Sequence, residues 1–212
     1  MKFSITFLLA FTFSTFNCLA QNTVSIANDR MNVIYTGINN PLTIAAAGVK
    51  DKHLKVECKN LKIEKRTEGK YMVKASKPGV AEIIVFKKNK VLDTILFRVK
   101  RFPDPVILIG NKKPGTIKAT VFRKQTGLSS TVLNFDYDIN CILISFDIIY
   151  VPKGEDPVNI SNSGPEFTER ALEYIRKAAK GDYYYFENIM LRCPGDKKMR
   201  SIDGAVFKIS NN

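Results

Sequence analysis

The sequence contains no tryptophan and only one histidine among its 212 residues. Histidine is a common metal ligand and the usual general acid or base at neutral pH, so most metalloenzyme and hydrolase mechanisms are disfavoured. The single histidine, His53, lies near Lys52 and Lys55 at a predicted strand start, and we interpret it as a surface residue. The G-x-S-x-G and S-x-x-K motifs of serine-nucleophile enzymes are absent as well. We therefore predict a protein that is not an enzyme and that takes no cofactor, no metal and no small-molecule substrate.

Cysteine is also scarce. Apart from Cys18, which lies in the N-terminal apolar segment, the chain has Cys58, Cys141 and Cys193. This odd number, without a C-x-x-C pair, is not typical of a disulfide framework or of a zinc site. At most one disulfide can form among the three, and we name Cys141 with Cys193 because we place both in the same domain. Buried free thiols are the alternative, which we slightly favour.

Only one long apolar run is present, and it lies at the N-terminus. Met1-Lys2 supplies a positive start, the apolar run covers residues 3–16, and small residues stand at Cys18 and Ala20. This pattern predicts a secretory signal peptide over residues 1–20. An uncleaved membrane anchor or a lipoprotein acylated at Cys18 are the alternatives. We expect export to the periplasm or to another extracytoplasmic face of the envelope.

Acidic residues are few in the first half of the chain. Residues 21–102 hold 17 Lys and Arg against 7 Asp and Glu, whereas residues 103–212 hold 15 against 13. The net charge of +13 is therefore concentrated in one predicted domain. In an exported chain, nucleic acid is not the expected partner, and anionic envelope polymers or acidic protein surfaces take its place. A solvated strand face is the simpler alternative. The basic positions are Lys55, Lys59, Lys62, Lys65, Lys74 and the turn at residues 87–90.

Short alternating apolar segments separated by turns fill residues 21–102. About seven such strands in about eighty residues, with no clear helix, predict an immunoglobulin-like β-sandwich domain. The segment Arg101–Pro105 then carries two prolines around an aspartate, which predicts a stiff, extended joint. The predicted strands are Met31–Tyr35, Pro41–Ala47, Leu54–Cys58, Leu61–Lys65, Tyr71–Ala75, Val80–Phe86 and Thr94–Lys100.

Residues 103–212 predict an α+β domain with a dominant sheet and one helix, over about residues 168–180. Thr168 is the expected N-cap, Phe167 and Leu172 form a hydrophobic staple, and Gly181 ends the helix. The expected strands include Thr116–Phe122, Cys141–Tyr150, which we expect to be buried on both faces, and Tyr183–Leu191, which pairs in a hairpin with residues 199–210. The fold class is thus mainly β.

Two groups of residues are candidates for an interface. Asp136 and Asp138 lie two apart on a predicted strand face and begin like a calcium-binding loop, but Cys141 stands where that loop needs glycine. We therefore favour a solvated or structural role over a metal site. In the run Tyr183–Phe186, two rings should point inward and two outward. Tyr183 and Tyr185 are then either a recognition surface or cover for the helix, and we rate these two alternatives equally.

Five stretches along the chain carry a resemblance to a known family: Met31–Ile44, Phe97–Pro105, Asn134–Asp138, Phe167–Thr168 and residues 181–189. The second of them contains the joint, with the pattern RVKR-x-PDP. Through these stretches both halves of the chain are similar to the C-terminal periplasmic part of the GldM/PorM family, the gliding-motility and type IX secretion stalk proteins of Bacteroidota. The resemblance implies an immunoglobulin-like domain followed by the family's terminal domain, a dimeric shaft, and contact with the outer-membrane ring of the secretion machine.

The chain also departs from the family. Full-length members begin with a transmembrane helix and a helical bundle, where this sequence has a predicted signal peptide, so a motor role is not expected. Our first hypothesis is a secreted, non-enzymatic interaction module that binds envelope proteins, with outer-membrane ring components as candidate partners and a homodimer as a candidate assembly. The alternative is a standalone envelope-binding domain for acidic glycan or lipopolysaccharide.

Overall fold

The computed structural model of the protein describes residues 24–27 and 32–211. The predicted signal peptide, residues 1–20, lies outside the described residues. No helix within the described ranges is long and apolar enough to cross a membrane. The buried apolar side chains form two separate clusters, one built from residues 34–99 and the other from residues 102–209. The chain therefore has two hydrophobic cores, which follow each other in sequence.

The N-terminal half is a β-sandwich of two four-stranded sheets. One sheet has the order β1-β3-β6-β5 and the other the order β2-β8-β7-β4. All strand pairs are antiparallel except β2 with β8, which is parallel. A short 3-10 helix, Asp51–His53, precedes β4. The strands are β1 Val24–Ala27, β2 Val33–Tyr35, β3 Asn40–Ala46, β4 Leu54–Lys59, β5 Lys62–Thr67, β6 Lys70–Lys74, β7 Gly79–Lys87 and β8 Lys90–Lys100.

The alternation of apolar and polar residues along the strands explains why the two sheets pack face to face. In β7, Ala81, Ile83 and Val85 are fully buried while the side chains between them are half-exposed, as a strand with one core-facing side requires. Each of the seven predicted strands overlaps an observed one. Strand β1 was not predicted from the sequence, because a segment of four residues is too short for a clear alternating pattern. Strand β1 pairs with β3 at the edge of its sheet.

The C-terminal half is an α+β unit. Its main sheet has the order β10-β16-β14-β12-β13, with β15 paired to β14, and β9 pairs with β11 in a second, two-stranded sheet. The predicted fold class, mainly β with a sandwich followed by an α+β unit, is confirmed. The elements are β9 Val106–Leu108, β10 Gly115–Lys118, α1 Ala119–Phe122, β11 Ser129–Thr131, β12 Ile142–Val151, β13 Val158–Ser163, α2 Glu169–Lys177, β14 Tyr183–Arg192, β15 Arg200–Ser201 and β16 Ala205–Ser210.

Helix α2 begins as predicted and ends earlier. The Thr168 hydroxyl accepts a hydrogen bond from the backbone N–H of Ala171 at 3.3 Å, so the N-cap is confirmed. The helix ends at Lys177 rather than near residue 180, because Ala178 has an extended ψ of 124°. The next N–H, that of Ala179, donates to the carboxylate of Asp182 instead of to the helix.

Two other predictions about this half are corrected. The segment Thr116–Phe122 is a strand only to Lys118 and then forms α1, whose Ala119 and Phe122 are buried at helical spacing. Strand β12 is not buried on both faces. Its inward side chains, such as Phe146 and Ile148, are buried, whereas the intervening ones are half-exposed. One face of the main sheet is therefore open.

Candidate protein-binding surface

Strand β14 places its four aromatic rings on two faces, as alternation requires. Tyr184 and Phe186 are fully buried. Tyr184 packs against Phe122 of α1 with ring centroids 4.5 Å apart, so the helices lie on this side of the sheet. Tyr183 and Tyr185 point to the opposite side and are half-buried, with their rings stacked at a centroid distance of 6.3 Å.

The neighbouring strands extend this open side. In the sheet register, Tyr185 lies between Ile149 of β12 and Val206 of β16, and Tyr183 lies between Val151 and Lys208. These neighbours are half-exposed or exposed, and Val206 retains 39% of its accessible surface. The ammonium group of Lys208 lies 5.5 Å from the centroid of the Tyr183 ring. We call this surface the aromatic face, defined by Ile149, Val151, Tyr183, Tyr185, Val206 and Lys208.

An acidic border lies next to the aromatic face. Asp147 is directly opposite Glu187 in the register of β12 and β14. The Asp147 carboxylate accepts a hydrogen bond from the side-chain amide of Asn188 at 2.8 Å. This bond and one from Ser161 hold the pKa of Asp147 below its ordinary value, so the group is charged at neutral pH. Half-buried rings bordered by fixed charges are typical of surfaces that recognise proteins.

Behind the aromatic face, a buried polar network orients the sheet. The Tyr150 hydroxyl donates to the Asp182 carboxylate at 3.0 Å, and the Tyr184 hydroxyl donates to the backbone carbonyl of Tyr174 at 2.8 Å. Burial and the hydrogen bond to Asp182 raise the pKa of Tyr150 to about 12. Its hydroxyl is therefore neutral at physiological pH. Since each of these groups has a hydrogen-bond partner within the protein, we assign them a structural role.

The structure corrects the placement of Asp136 and Asp138. They do not share a strand face, because residues 132–141 form a loop. Both side chains are exposed. Phe135, which precedes them, and Tyr137, which lies between them, contact Tyr35 of the sandwich at ring centroid distances of 4.8 and 6.1 Å, respectively. The loop therefore packs against the N-terminal half. It lies at the opposite end of β14 from Tyr183 and Tyr185, so the four candidate residues do not form one surface.

Cys141 and Cys193 are joined by a disulfide. Ile142 is paired with Arg192 in the antiparallel register of β12 and β14. Cys141 precedes Ile142 and Cys193 follows Arg192, so the two cysteines lie opposite each other just beyond the ends of the two strands. Cys58 is a free, half-buried thiol whose pKa is raised by burial. Among the residues that the structure describes, no group of three or more His, Cys, Asp or Glu side chains could hold a metal ion.

A charged cluster that was not predicted from the sequence joins the two halves of the chain. The guanidinium of Arg200, almost fully buried, donates to Asp196 at 2.9 Å and to Asp104 at 2.9 Å, and it lies over the Phe102 ring. Arg101 donates to the same Asp196 at 3.0 Å. The only sequence signal is the spacing of Asp196 and Arg200, four residues apart after a Pro-Gly turn.

Comparison with known proteins gives two family matches. The model of the GldM third domain matches residues 23–100, and the model of the GldM C-terminal domain matches residues 103–210. No curated protein sequence matches the chain.

Among solved structures, the adhesin InvE of Yersinia pseudotuberculosis is 12% identical to this chain, with a TM-score of 0.28. The match covers 89% of this chain and 58% of the adhesin chain. Domains 6–7 of the surface layer protein SbsC are 11% identical with a TM-score of 0.31, covering 92% of this chain and 100% of that one. At these TM-scores neither likeness bears on function. The two family matches follow the two halves of the fold in the same order, and the chain belongs to the GldM family.

Proposed function

We propose that this chain is a non-enzymatic interaction module of the bacterial envelope, acting in or beside the gliding-motility and type IX secretion apparatus of a Bacteroidota bacterium. Membership of the GldM family over residues 23–210 is the observation that carries this proposal. The resemblance described above associates these domains with a periplasmic stalk. The apolar N-terminal segment, with its signal-peptide pattern, supports a position outside the cytoplasm.

The aromatic face is the surface that we propose for partner binding. Tyrosine contributes much contact area for little lost side-chain freedom, and it is enriched at protein interfaces. Tyr183 and Tyr185 are held on a rigid sheet, so they need not be ordered on binding. Candidate occupants are the outer-membrane ring components of the secretion machine and a second copy of this chain.

A double variant tests the aromatic face. Tyr183→Ala/Tyr185→Ala should lose the ring components that co-purify with the wild-type chain from envelope extracts of its source bacterium, identified by mass spectrometry. The matched control is Val91→Ala/Leu96→Ala, which removes two exposed apolar side chains from the sandwich and should retain the same components. Thermal melts of both variants report on folding. Retention of ring components by the tyrosine variant would refute this role for the face.

Light scattering of the purified chain tests self-association. If the aromatic face joins two copies, the wild type is a dimer and the tyrosine variant a monomer, while the control variant remains a dimer. A monomeric wild type rules out this occupant at the concentration measured and leaves the ring components.

The basic sandwich favours a second candidate function, a standalone module for acidic glycan or lipopolysaccharide. The net charge of +10 over residues 21–102 is the observation behind it. In this case the chain should be retained on immobilised lipopolysaccharide at low salt and released at about 0.5 M salt, where the Debye length is about 4 Å. Retention on peptidoglycan or lipopolysaccharide without ring components would favour this second function.

A further inference from the structure

A groove lies where the sandwich meets the C-terminal unit. Three segments line it: the β4–β5 connection around Asn60, the β6–β7 connection at residues 75–78, and the turn at residues 195–197. The groove has a volume of about 890 Å³ and continues into a neighbouring hollow of about 560 Å³, with which it shares Lys77 and Lys197. It is large enough for several residues of an extended peptide.

Five lysines line the groove and the hollow beside it. The side chains of Lys62, Lys74, Lys77 and Lys197 line the main groove, and Lys198 lines the neighbouring hollow. All five residues are exposed. Among the residues that the structure describes, no carboxylate lies within 4 Å of any of these five ammonium groups.

The acidic residues nearby do not neutralise these lysines. Asp196 also lines the groove, but its carboxylate is taken by Arg200 at 2.9 Å and by Arg101 at 3.0 Å. Asp138 lies in a smaller adjacent hollow, which it shares with Lys74. The groove therefore presents a strong excess of positive charge, in a concave site where charges focus their field.

Two of the lysines repel each other in the free protein. Lys62 and Lys74 are directly opposite on β5 and β6. Like charges at opposed positions of an antiparallel pair destabilise the sheet, and an anionic group bound beside them would relieve the repulsion. This cost within the sandwich is the observation that points most directly to an acidic ligand.

The groove lining also has an apolar part, which we call its floor. Leu61, Ala75 and Pro78 line it, and Val80, beside them, retains 56% of its accessible surface. A polysaccharide or polyphosphate would use the lysines and leave these apolar side chains in water. A peptide with both acidic and apolar side chains would satisfy the basic rim and cover the floor.

We propose that this groove binds an acidic, extended peptide segment of a partner protein, in which carboxylates contact the lysines and apolar side chains cover the floor. The proposal deepens the protein-binding function proposed above and rests on it, but it assigns a surface separate from the aromatic face. Lysine ammonium groups on flexible side chains can bind carboxylates in many geometries, so the groove selects for negative charge rather than for one exact peptide sequence.

Fluorescence anisotropy with the full purified chain tests the proposal. The probe is a labelled peptide of about twelve residues in which Glu alternates with Leu and Ser, and the control peptide has Gln at every Glu. The variant Lys62→Gln/Lys74→Gln/Lys197→Gln should weaken binding of the acidic peptide about tenfold, a loss that three exposed ion pairs can together account for. The Gln peptide should not bind the wild type measurably.

The matched control is Lys52→Gln/Lys88→Gln/Lys90→Gln. These three exposed lysines lie around the start of β4 and the β7–β8 turn, at the far end of the sandwich from the groove. This variant loses the same charge and should bind the acidic peptide within about twofold of the wild type. Equal weakening by both variants would mean that net charge alone attracts the peptide, and it would overturn the proposal.

Two further outcomes are decisive. If polyphosphate or lipopolysaccharide micelles bind the groove and depend on the three groove lysines while the acidic peptide does not bind, the groove is a site for anionic polymers and the peptide proposal is wrong. The variant Tyr183→Ala/Tyr185→Ala should bind the peptide as the wild type does. Failure of the groove and failure of the aromatic face are therefore distinguishable.

Discussion

At the residue scale, Asp182 is a buried carboxylate whose two oxygens both accept hydrogen bonds. It receives hydrogen bonds from the Tyr150 hydroxyl at 3.0 Å and from the backbone N–H groups of Ala179 and Lys153 at 2.9 and 3.1 Å. These three donors come from β12, from the segment after β12 and from the connection that follows α2. One side chain thus joins this connection to the sheet, directly behind the aromatic face.

We expect Asp182→Asn to lower the free energy of unfolding by about 1–3 kcal/mol, because the new amide nitrogen would point a donor at groups that already donate. Urea denaturation followed by circular dichroism measures this loss. The control is Asp203→Asn, an exposed carboxylate in the same half of the chain, which should change stability by less than about 0.5 kcal/mol. Equal effects of the two substitutions would contradict the role of the network.

At the element scale, the disulfide joins two neighbouring strands of the main sheet. Strands β12 and β14 form the centre of this sheet, and the bridge closes a loop with a sequence separation of 52 residues. In the chain-entropy account, a closed loop of this length restricts the unfolded chain by about 4 kcal/mol. The loop contains β13 and α2, so in the unfolded chain the bridge restricts the segment that supplies much of the C-terminal core.

We expect Cys141→Ser/Cys193→Ser to lower the free energy of unfolding by about 2–4 kcal/mol relative to the wild type. Denaturation with and without reductant provides the measurement, because the wild type should lose stability in reductant and the double variant should not. Cys58→Ser in the sandwich is the control and should keep the response to reductant. A wild type that is insensitive to a reductant known to break the bridge would contradict the expected contribution.

At the scale of the whole molecule, the junction joins the two cores through buried charge and close backbone contact. A Cβ atom at Gly37 would lie 2.3 Å from the carbonyl oxygen of Pro194, so the two halves touch backbone to backbone at this point. Gly37 has φ of +78°, a conformation that glycine adopts without strain. Around this contact, Arg200 and Arg101 bind Asp196. The groove exists because these contacts hold the sandwich and the C-terminal unit together.

Acid pH should loosen the junction. Burial alone would raise the pKa of Asp196, but the hydrogen bonds and charges of Arg200 and Arg101 outweigh it and hold this pKa below its ordinary value. A carboxyl with a lowered pKa in the folded state stabilises the protein above its unfolded pKa of about 3.9, and this contribution is lost as pH falls through the folded value. Stability and junction geometry should be constant from about pH 5 to 7 on this account and weaken below about pH 4.

Small-angle X-ray scattering across this pH range measures the junction, as an increase in the maximum dimension at acid pH. Asp196→Asn should reproduce the acid effect at pH 7 and cost about 2 kcal/mol of unfolding free energy, since it removes the charge from a hydrogen-bonded buried pair. Asp156→Asn, at an exposed position, is the control. A compact Asp196→Asn variant at pH 7 would show that the other contacts hold the junction without the carboxylate.

The local patterns of the sequence predicted most elements, and long-range contacts explain the errors. Alternation predicted the sandwich strands, and Thr168 marked the start of α2. The end of that helix could not be predicted, because it depends on Asp182 accepting the N–H of Ala179. The strand-like pattern before Phe122 was misleading, since apolar side chains three apart also suit a short helix packed on a sheet.

The fold class, the two family matches and the excess of lysine in the first half follow from the sequence alone, because alternation, turn residues and charge are properties of local stretches. Only the packed structure shows which distant residues are neighbours. It separated Asp136 and Asp138 from Tyr183 and Tyr185, paired Cys141 with Cys193, and brought lysines of the sandwich together with Lys197 around one groove. The disulfide joins residues 52 positions apart, and the groove brings residues of the sandwich beside Lys197, more than a hundred positions away. Such contacts form only when the chain is packed.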